Sequence, residues 1–256
     1  VTPSPTARAE QDDWDAHWAK YSKRARVNPG QLMRFGWLVR RVSQTIAAQT
    51  DPILLDIGSG TGHLLQIIHE RLPALEAIGV EYSQEGVEIG RRAVPSATFV
   101  QADLLQPQSQ SLIGDRLATV ATCSEVLEHV DDPSLLMRTA SAFLGSGAIV
   151  HVTVPGGPMS AFDHAIGHRQ HFTPESLSRV MEAAGYETVS AGRIGFPFFN
   201  LYRYLIIASA DRVESAANSE PSAAELTASH VFSWLMHLNV GAIQKGFQIV
   251  GSFRRP

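Results

Sequence analysis

The feature that most constrains the fold is an alternation of short apolar runs with segments of helical periodicity, which starts after Asp51 and Pro52. Short apolar runs bounded by turn residues predict buried strands, and helices between such strands imply βαβ units with parallel pairing. The predicted strands are residues 53–57, 77–81, 97–101, 117–123 and 148–154. The predicted helices between them are 62–71, 83–91 and 133–143, whereas the crossover through 106–114 is polar and irregular.

Helix signals flank this alternation on both sides. Apolar residues recur at helical spacing over 14–21 and 32–46, and an Asn-Pro-Gly break at 28–30 separates the two predicted helices. The Thr-Pro pair at 173–174 is an N-cap followed by proline at the first helical position, which predicts a helix that runs to Gly185. A sixth strand is predicted directly after it, over residues 186–193.

The last strand has two candidates. Residues 201–209 are rich in aromatic residues and isoleucine, but residues 246–254 alternate better and are predicted as an edge strand beside a terminus. Residues 196–243 then become an insertion of two helices, joined by an Ala/Ser/Glu-rich linker at 215–224. The predicted fold class is α/β: a doubly wound, seven-stranded, mostly parallel sheet with N-terminal helices and a helical insertion before the last strand.

Composition favours one globular domain over residues 13–256, preceded by a disordered N-terminus over residues 1–12. Hydrophobic residues make up 44% of the chain and charged residues 18%, which is ordinary for a protein with a full core. The formal charge of −4 provides no basic surface for long nucleic acid. A single cysteine, Cys123, excludes an intramolecular disulfide, is expected to pack in the core and fits a reducing cytoplasm. Neither a signal peptide nor a membrane span is expected.

The strongest motif is a strand that ends in a glycine turn and opens a helix, Leu-Leu-Asp-Ile-Gly-Ser-Gly-Thr-Gly-His at 54–63. Glycines let a ligand approach the backbone, and the helix N-terminus offers unpaired N–H groups. A dinucleotide fingerprint needs GxGxxG, but His63 stands where its third glycine belongs. Asp56, just before the turn, would also repel a pyrophosphate and suits a cationic ligand.

Two further carboxylates follow successive predicted strands. Glu81, 25 positions beyond Asp56, can accept hydrogen bonds from both ribose hydroxyls. Asp103 is suited to accept from an exocyclic adenine amine. An isolated acidic residue after a strand is usually a cap or turn former, but three at the same sheet edge describe a site for an adenosine that carries no phosphate.

With these residues the chain resembles the class I S-adenosylmethionine-dependent methyltransferases, over about residues 51–193. The resemblance implies that the glycine turn carries the methionine part, that the acid after strand two holds the ribose and that the acid after strand three holds the adenine. The cofactor-binding set that we predict on this basis is Asp56, Gly58, Ser59, Gly60, Gly62, Glu81, Tyr82, Asp103, Leu104 and Ser124.

The segment Cys-Ser-Glu-Val-Leu-Glu-His-Val at 123–130 resembles ubiquinone-biosynthesis O-methyltransferases and small-RNA 2′-O-methyltransferases. In those groups two glutamates and a histidine in this arrangement hold a divalent metal. If a helix begins at Glu125, Glu128 and His129 fall on one face of it. His168 aligns with the distal ligand, so the resemblance implies an Mg²⁺, Mn²⁺ or Fe²⁺ site of Glu125, Glu128, His129 and His168. The alternative is a metal-free segment whose glutamates cap the backbone and whose histidine packs.

Histidines between positions 151 and 171 are predicted just past strand five, at the rim where this fold places its acceptor. A histidine with a near-neutral pKa can remove the acceptor's proton. His168, His171 and His129 are the candidate catalytic residues, with His164 behind them. The competing interpretation is that each of these is a hydrogen-bonded loop residue.

The predicted function is methyl transfer from S-adenosylmethionine to oxygen or nitrogen of a small, partly apolar metabolite. The aromatic residues of the insertion at 196–243 either pack between buried helices or form a cap over the acceptor pocket. The insertion is also a candidate homodimer surface. A non-catalytic methyltransferase-fold subunit and a nicotinamide oxidoreductase are the rival interpretations. An RNA acceptor stays open from the resemblance, although the acidic balance disfavours it.

Overall fold

The computed structural model describes residues 13–25, 27–114, 116–209, 222–240 and 244–256, with the side chains of residues 20–25 left out. Its strands are β1 Ile53–Ile57, β2 Glu76–Glu81, β3 Thr98–Gln101, β4 Ala118–Ser124, β5 Leu144–Pro155, β6 Glu187–Ile194 and β7 Gln248–Arg254. Its helices are α1 Trp14–Ala25, α2 Pro29–Ile46, α3 His63–Arg71, α4 Gln84–Ala93, α5 Pro133–Ala140, α6 Ala161–Ala165, α7 Pro174–Ala183, α8 Phe198–Ala208 and α9 Ala223–Met236.

The strands form one seven-stranded sheet in the order β3-β2-β1-β4-β5-β7-β6. The pairs among β1 to β5 are parallel, and β7 is antiparallel to both of its neighbours. Buried side chains cover both faces of the sheet: Leu38 and Leu65 belong to one apolar cluster, and Met137 and Leu177 to the other. The predicted doubly wound fold class is therefore confirmed.

The chain does end on the strand predicted at 246–254, but the prediction that this strand lies at an edge is wrong. β7 lies between β5 and β6, and six of its seven residues are buried. An alternating sequence is typical of an edge strand, yet both faces of β7 are covered here. Residues 201–209, the other candidate for the last strand, lie mostly in α8. The free edge beyond β7 belongs to β6, which is half-buried to exposed along its length.

Two smaller differences from prediction lie around β5. The strand begins at Leu144 rather than at 148, because the chain turns into it directly after a short 3-10 turn at Ser141–Phe143. The helix predicted over 133–143 therefore ends at Ala140, and the 3-10 turn takes its last three residues. The crossover at 106–114 contains a 3-10 turn, Gln110–Ile113.

Side-chain hydrogen bonds fix the start of α2 and the position of α1. Asn28 accepts a hydrogen bond from the Gln31 amide at 3.1 Å and thereby starts α2 at Pro29. Asp15 of α1 accepts from the Ser83 hydroxyl at 2.5 Å and from the Glu85 amide at 3.0 Å. These bonds attach α1 to the N-terminus of α4, at the edge of the sheet where β2 ends.

The helical insertion packs on α2. Ser229 of α9 donates to the Val27 carbonyl, and a side chain at Gly30 would lie 3.0 Å from the Phe199 ring of α8. Asn239 Oδ1 accepts from the Phe198 amide at 2.9 Å. Most of the predicted linker at 215–224 and the predicted disordered residues 1–12 lie outside the described residues. Among the helices that the structure describes, none is long and apolar enough to cross a membrane.

Candidate active site

Two adjoining cavities lie at the carboxyl ends of the parallel strands. The larger, about 230 Å³, is lined by Glu81, Tyr82, Asp103 and Leu104 on one side and by His129 on the other. The smaller, about 120 Å³, is lined by residues of the glycine turn and by Asp56, Ser124, Gln31 and Arg34. Trp18 of α1 borders both cavities. An elongated ligand can therefore pass from one to the other along the glycine turn.

The glycine turn makes this passage narrow. Gly58 and Gly60 have φ of 69° and 53°, a region that other residues rarely adopt. A Cβ at Gly58 would lie 2.4 Å from Val126, and one at Gly60 would lie 2.6 Å from the Trp18 ring. Ser59 Oγ is buried without a hydrogen-bond partner within the described chain. Gly62 lines neither cavity: it caps α3 and packs against Phe99, which is a structural role.

Asp56 lies at the base of the smaller cavity. Its side chain is buried, and its Oδ1 accepts a hydrogen bond from Thr122 Oγ1 at 2.7 Å. Burial raises the pKa of the Asp56 carboxyl to about 7, against the Thr122 hydrogen bond, which lowers it. A cationic group in this cavity would favour the ionised carboxylate.

Glu81 joins the glycine turn to the next strand. Its Oε2 accepts from the Gly60 amide at 2.7 Å and its Oε1 from the Ser83 amide at 3.0 Å. Burial raises the pKa of Glu81, and these two amides oppose that rise. Each carboxylate oxygen keeps a further lone pair for a ligand hydroxyl. Asp103 is more open, and its Oδ1 accepts from the Leu105 amide at 2.9 Å.

The sequence interpretation missed Arg34 and Gln31, which reach the smaller cavity from α2. Arg34 Nε has no hydrogen-bond partner within the described ranges and lies 3.7 Å from Glu125 Oε1. Gln31 Nε2 contacts His63 Nδ1 at 3.0 Å. A half-buried guanidinium suits a carboxylate, and the available signal was that Gln31 and Arg34 are spaced by three residues and so share one face of α2.

Glu125 does not begin a helix, so the predicted helical face of Glu125, Glu128 and His129 is wrong. Its backbone is left-handed, with φ of 57°, and the next regular element is a 3-10 turn, Leu127–His129. The turn redirects Glu125, whose Oε1 accepts from Gln248 Nε2 at 2.9 Å and from Thr153 Oγ1 at 3.1 Å. Among the described residues, no metal-competent cluster includes Glu125.

The other three predicted ligands do come together. Glu128, His129 and His168 each offer a donor atom, and these atoms lie within 4.8 Å of one another. Both Glu128 oxygens and His129 Nδ1 are buried and make no hydrogen bond to any described residue. The Arg169 amide donates to the Glu128 carbonyl at 2.8 Å, which holds the histidine-rich segment against the 3-10 turn.

The histidines differ in position and surroundings. His168 Nδ1 contacts His171 Nε2 at 3.0 Å, and His171 Nδ1 contacts the Gly157 carbonyl at 3.1 Å. His164 is exposed on α6. His151 lies inside β5, where it contacts Thr45 and Ser252, so the prediction that it lies past the strand at the rim is wrong.

Burial keeps the central histidines neutral. Burial lowers the pKa of His129 to about 4, although the Gly167 carbonyl acts to raise it. Burial also lowers the pKa of His168 to about 2, and the neighbouring rings of His129 and His171 act in the same direction. Burial likewise lowers the pKa of His171. Burial and the nearby Glu125 charge raise the pKa of Glu128 well above its ordinary value. The group thus combines neutral imidazoles with a buried carboxyl that makes no hydrogen bond to any described residue and is favoured in its protonated form. Cys123 is fully buried, as expected of a packing residue.

The geometry defines a class of protein: a Rossmann-like α/β fold with a cleft at the carboxyl edge of its sheet that is lined by the acidic residues following successive strands. A sequence profile of a methyltransferase domain matches residues 33–191. A ubiquinone biosynthesis O-methyltransferase of Aeromonas salmonicida is 24% identical over 188 residues, which cover 67% of this chain and 75% of the relative. One from Idiomarina loihiensis is 25% identical, over 56% of this chain and 65% of the relative.

Solved structures share the fold. A putative sarcosine dimethylglycine methyltransferase from Galdieria sulphuraria aligns with a TM-score of 0.60 at 12% identity, over 88% of this chain and 86% of that one. The [4+2]-cyclase SpnF aligns with a TM-score of 0.59 at 20% identity, over 86% and 80%. The chain therefore belongs to the methyltransferase-domain family and is an S-adenosylmethionine-dependent methyltransferase.

Proposed function

We propose that this enzyme transfers a methyl group to oxygen or nitrogen of a small, partly apolar metabolite. The observation that carries the proposal is that one cavity is lined both by Glu81 and Asp103 and by His129, which contacts His168. Residues that suit an adenosine thus adjoin a buried histidine cluster that can serve an acceptor.

The residues present fit the cofactor. We assign the ribose to Glu81, the adenine to Asp103 with Tyr82 and Leu104, and the amino-acid end to the smaller cavity. There, Arg34 offers a cation to a carboxylate and Asp56 an anion to an ammonium group. S-adenosylmethionine, when bound, supplies an electrophilic sulfonium methyl group. The contribution of these side chains is to orient the two reactants and to exclude water.

We assign proton removal from the acceptor to the histidine cluster. Burial keeps His129, His168 and His171 neutral, so each has one nitrogen free to accept a proton. Burial also lowers the pKa of His129 to about 4, which is below the near-neutral value expected from the sequence and makes it a weak base. It can therefore take the acceptor's proton only as the bond to the methyl group forms and the acceptor atom becomes acidic. His129 lines the larger cavity and therefore contacts the acceptor in this proposal. His168 and His171 lie behind it, and their rings contact one another.

The buried donors also fit a divalent cation. Glu128 with both oxygens unsatisfied, His129 and His168 form a mixed carboxylate and imidazole set that suits Mg²⁺, Mn²⁺ or Fe²⁺. We propose these three residues as its ligands, in place of the base role: a coordinated imidazole nitrogen could not accept the acceptor's proton, and the cation would instead lower the pKa of the acceptor hydroxyl. A cation there would supply Lewis-acid polarisation of an acceptor oxygen.

The rival proposal is that the fold binds its cofactor without transferring a methyl group. The cyclase SpnF supports this rival, because it has the same fold and is named for a reaction other than methyl transfer. The intact cleft and the buried histidines favour the methyltransferase.

The test is a methyl-transfer assay over a panel of phenols, catechols, amines and carboxylates, with and without a chelator. We expect turnover of at least one apolar acceptor, reduced by chelation and by His168→Ala. Cofactor binding without turnover across the panel would favour the rival, and full activity in excess chelator would leave the histidines as plain bases.

We also propose a homodimer through the insertion, a cytoplasmic location and a small-molecule acceptor rather than nucleic acid. Exposed apolar side chains on the insertion support the first: Leu201, Tyr204, Leu205, Val231 and Trp234. The single cysteine and the net charge of −4 support the others.

A further inference from the structure

A chain of contacts fixes the tautomer of His168. The Gly157 carbonyl can only accept, so His171 Nδ1, 3.1 Å away, carries the proton. Neutral His171 then has a lone pair on Nε2, which lies 3.0 Å from His168 Nδ1. His168 therefore donates from Nδ1, and its Nε2 is left unprotonated, so that Nε2 is the nitrogen able to act as the donor atom His168 offers beside Glu128 and His129.

Asp163 lies against the same two rings. Its Oδ1 is 3.8 Å from His168 Nδ1 and 3.7 Å from His171 Nε2, too far for a hydrogen bond but close enough for strong electrostatic influence. This oxygen is buried and makes no hydrogen bond to any described residue. Asp163 is paired with the Arg203 guanidinium at 2.8 Å through its other oxygen, so its Oδ1 faces the two rings as an acceptor. An acceptor oxygen here favours a proton on the facing Nδ1 of His168.

The orientation of Asp163 is fixed from the other side. Oδ2 accepts from Ser160 N and Oγ, each at 2.7 Å, and from Arg203 Nη2 at 2.8 Å. Arg203 belongs to α8 of the insertion, and its side chain is 13% exposed. It also donates to the Pro158 carbonyl at 3.3 Å. The insertion thus reaches the histidine cluster through one ion pair.

We infer that Asp163, with Arg203 and His171, is a positioning group that holds His168 with Nδ1 protonated and Nε2 free toward Glu128 and His129. This inference deepens the proposed function and rests on it for the use of Nε2. Groups that take the second ring proton of a ligating histidine commonly fix its tautomer and strengthen its binding. Asp163, His168 and His171 could be taken for a second metal site. The proton between the two rings and the adjoining Arg203 cation disfavour that alternative.

The test uses Asp163→Asn, which keeps the size of the side chain but removes its charge, and Arg203→Gln as a second variant. The control is Asp131→Asn, since Asp131 also forms an aspartate–arginine pair at 2.7 Å, with Arg169 in the same segment, but its carboxylate is 61% exposed. Histidine tautomers are read from ¹⁵N NMR shifts of the full chain, and Mn²⁺ affinity from the EPR signal of free Mn²⁺. Thermal unfolding identifies a variant that fails to fold.

We expect His168 to be Nδ1-protonated in the wild type and to lose that single tautomer in both variants, with Mn²⁺ affinity falling about 10- to 100-fold. Asp131→Asn should match the wild type. A wild-type His168 protonated on Nε2, unchanged tautomer in folded Asp163→Asn, or two Mn²⁺ ions per chain would overturn the inference. Absence of Mn²⁺ binding to the wild type would refute the proposed metal alone, because the NMR comparison still decides the role of Asp163.

Discussion

At the scale of single residues, Glu81 has two roles: it accepts hydrogen bonds from the Gly60 and Ser83 amides, and it lines the larger cavity. We predict that Glu81→Gln weakens S-adenosylhomocysteine binding on the order of 10- to 100-fold, because a charge-assisted hydrogen bond contributes about 1.5–3 kcal/mol. Isothermal titration calorimetry measures the change. Glu76→Gln, the same substitution at the exposed opposite end of β2, is the control. Equal affinities of wild type and Glu81→Gln would mean that the ribose is held elsewhere.

His151 provides a pH prediction that is independent of the active site. Burial, with Arg41, lowers its pKa from 6.5 to about 4 in the folded state. Below pH 6.5 the unfolded chain therefore binds more protons at His151 than the folded chain does. The contribution of neutral His151 to the free energy of unfolding is fully present above pH 6.5 and is lost as the pH falls toward 4. In urea titrations, His151→Gln should lose less unfolding free energy than the wild type between pH 6.5 and pH 5. Parallel losses would show that His151 titrates normally.

Some site residues could be predicted from the sequence and others could not. Asp56, Glu81 and Asp103 follow successive strands, and carboxyl ends of parallel strands meet at one edge, so their proximity follows from the fold class. Arg34 was missed because only the packing of α2 decides where its side chain reaches. Glu125 was misplaced because a left-handed backbone at a non-glycine residue has no sequence signature.

At the scale of elements, α1 acts as a wall of the cofactor cleft. Trp18 borders both cavities and lies over Gly60, while Asp15 attaches the helix to α4. We predict that Trp18→Ala lowers S-adenosylhomocysteine affinity about tenfold, since a lost aromatic contact costs about 1 kcal/mol or more. Trp37→Ala, whose ring instead contacts His151, should bind normally. Calorimetry that ranks the two variants in the opposite order would exclude α1 from the cleft.

The order of elements was predictable, but the place of β7 was not. Its alternating sequence indicated a strand, and the turn signals around residues 173–185 indicated the helix before β6. The position of β7 between β5 and β6 depends on which strands pair with it, and the sequence of β7 itself gives no local evidence of its partners. The same limit applies to α8, whose Arg203 meets Asp163 only in the folded chain.

At the scale of the whole molecule, the insertion exposes apolar side chains on two helices. Trp234 is 63% exposed and Tyr204 54%, which is costly for large apolar groups in water. We predict that the wild type sediments as a dimer and that Trp234→Glu shifts it toward monomer, because a charge at the contact must be desolvated. Val189→Glu, at a comparably exposed position on β6, is the control. A monomeric wild type at micromolar concentration would contradict the dimer.

We predict that the cleft at the carboxyl edge of the sheet binds S-adenosylmethionine and not a dinucleotide. The most direct measurement is calorimetry of the wild-type chain with S-adenosylhomocysteine and, separately, with NAD. We expect saturable binding of one S-adenosylhomocysteine per chain and no heat from NAD, because Asp56 and the GxGxG turn leave no place for a pyrophosphate. Saturable NAD binding without S-adenosylhomocysteine binding would contradict it.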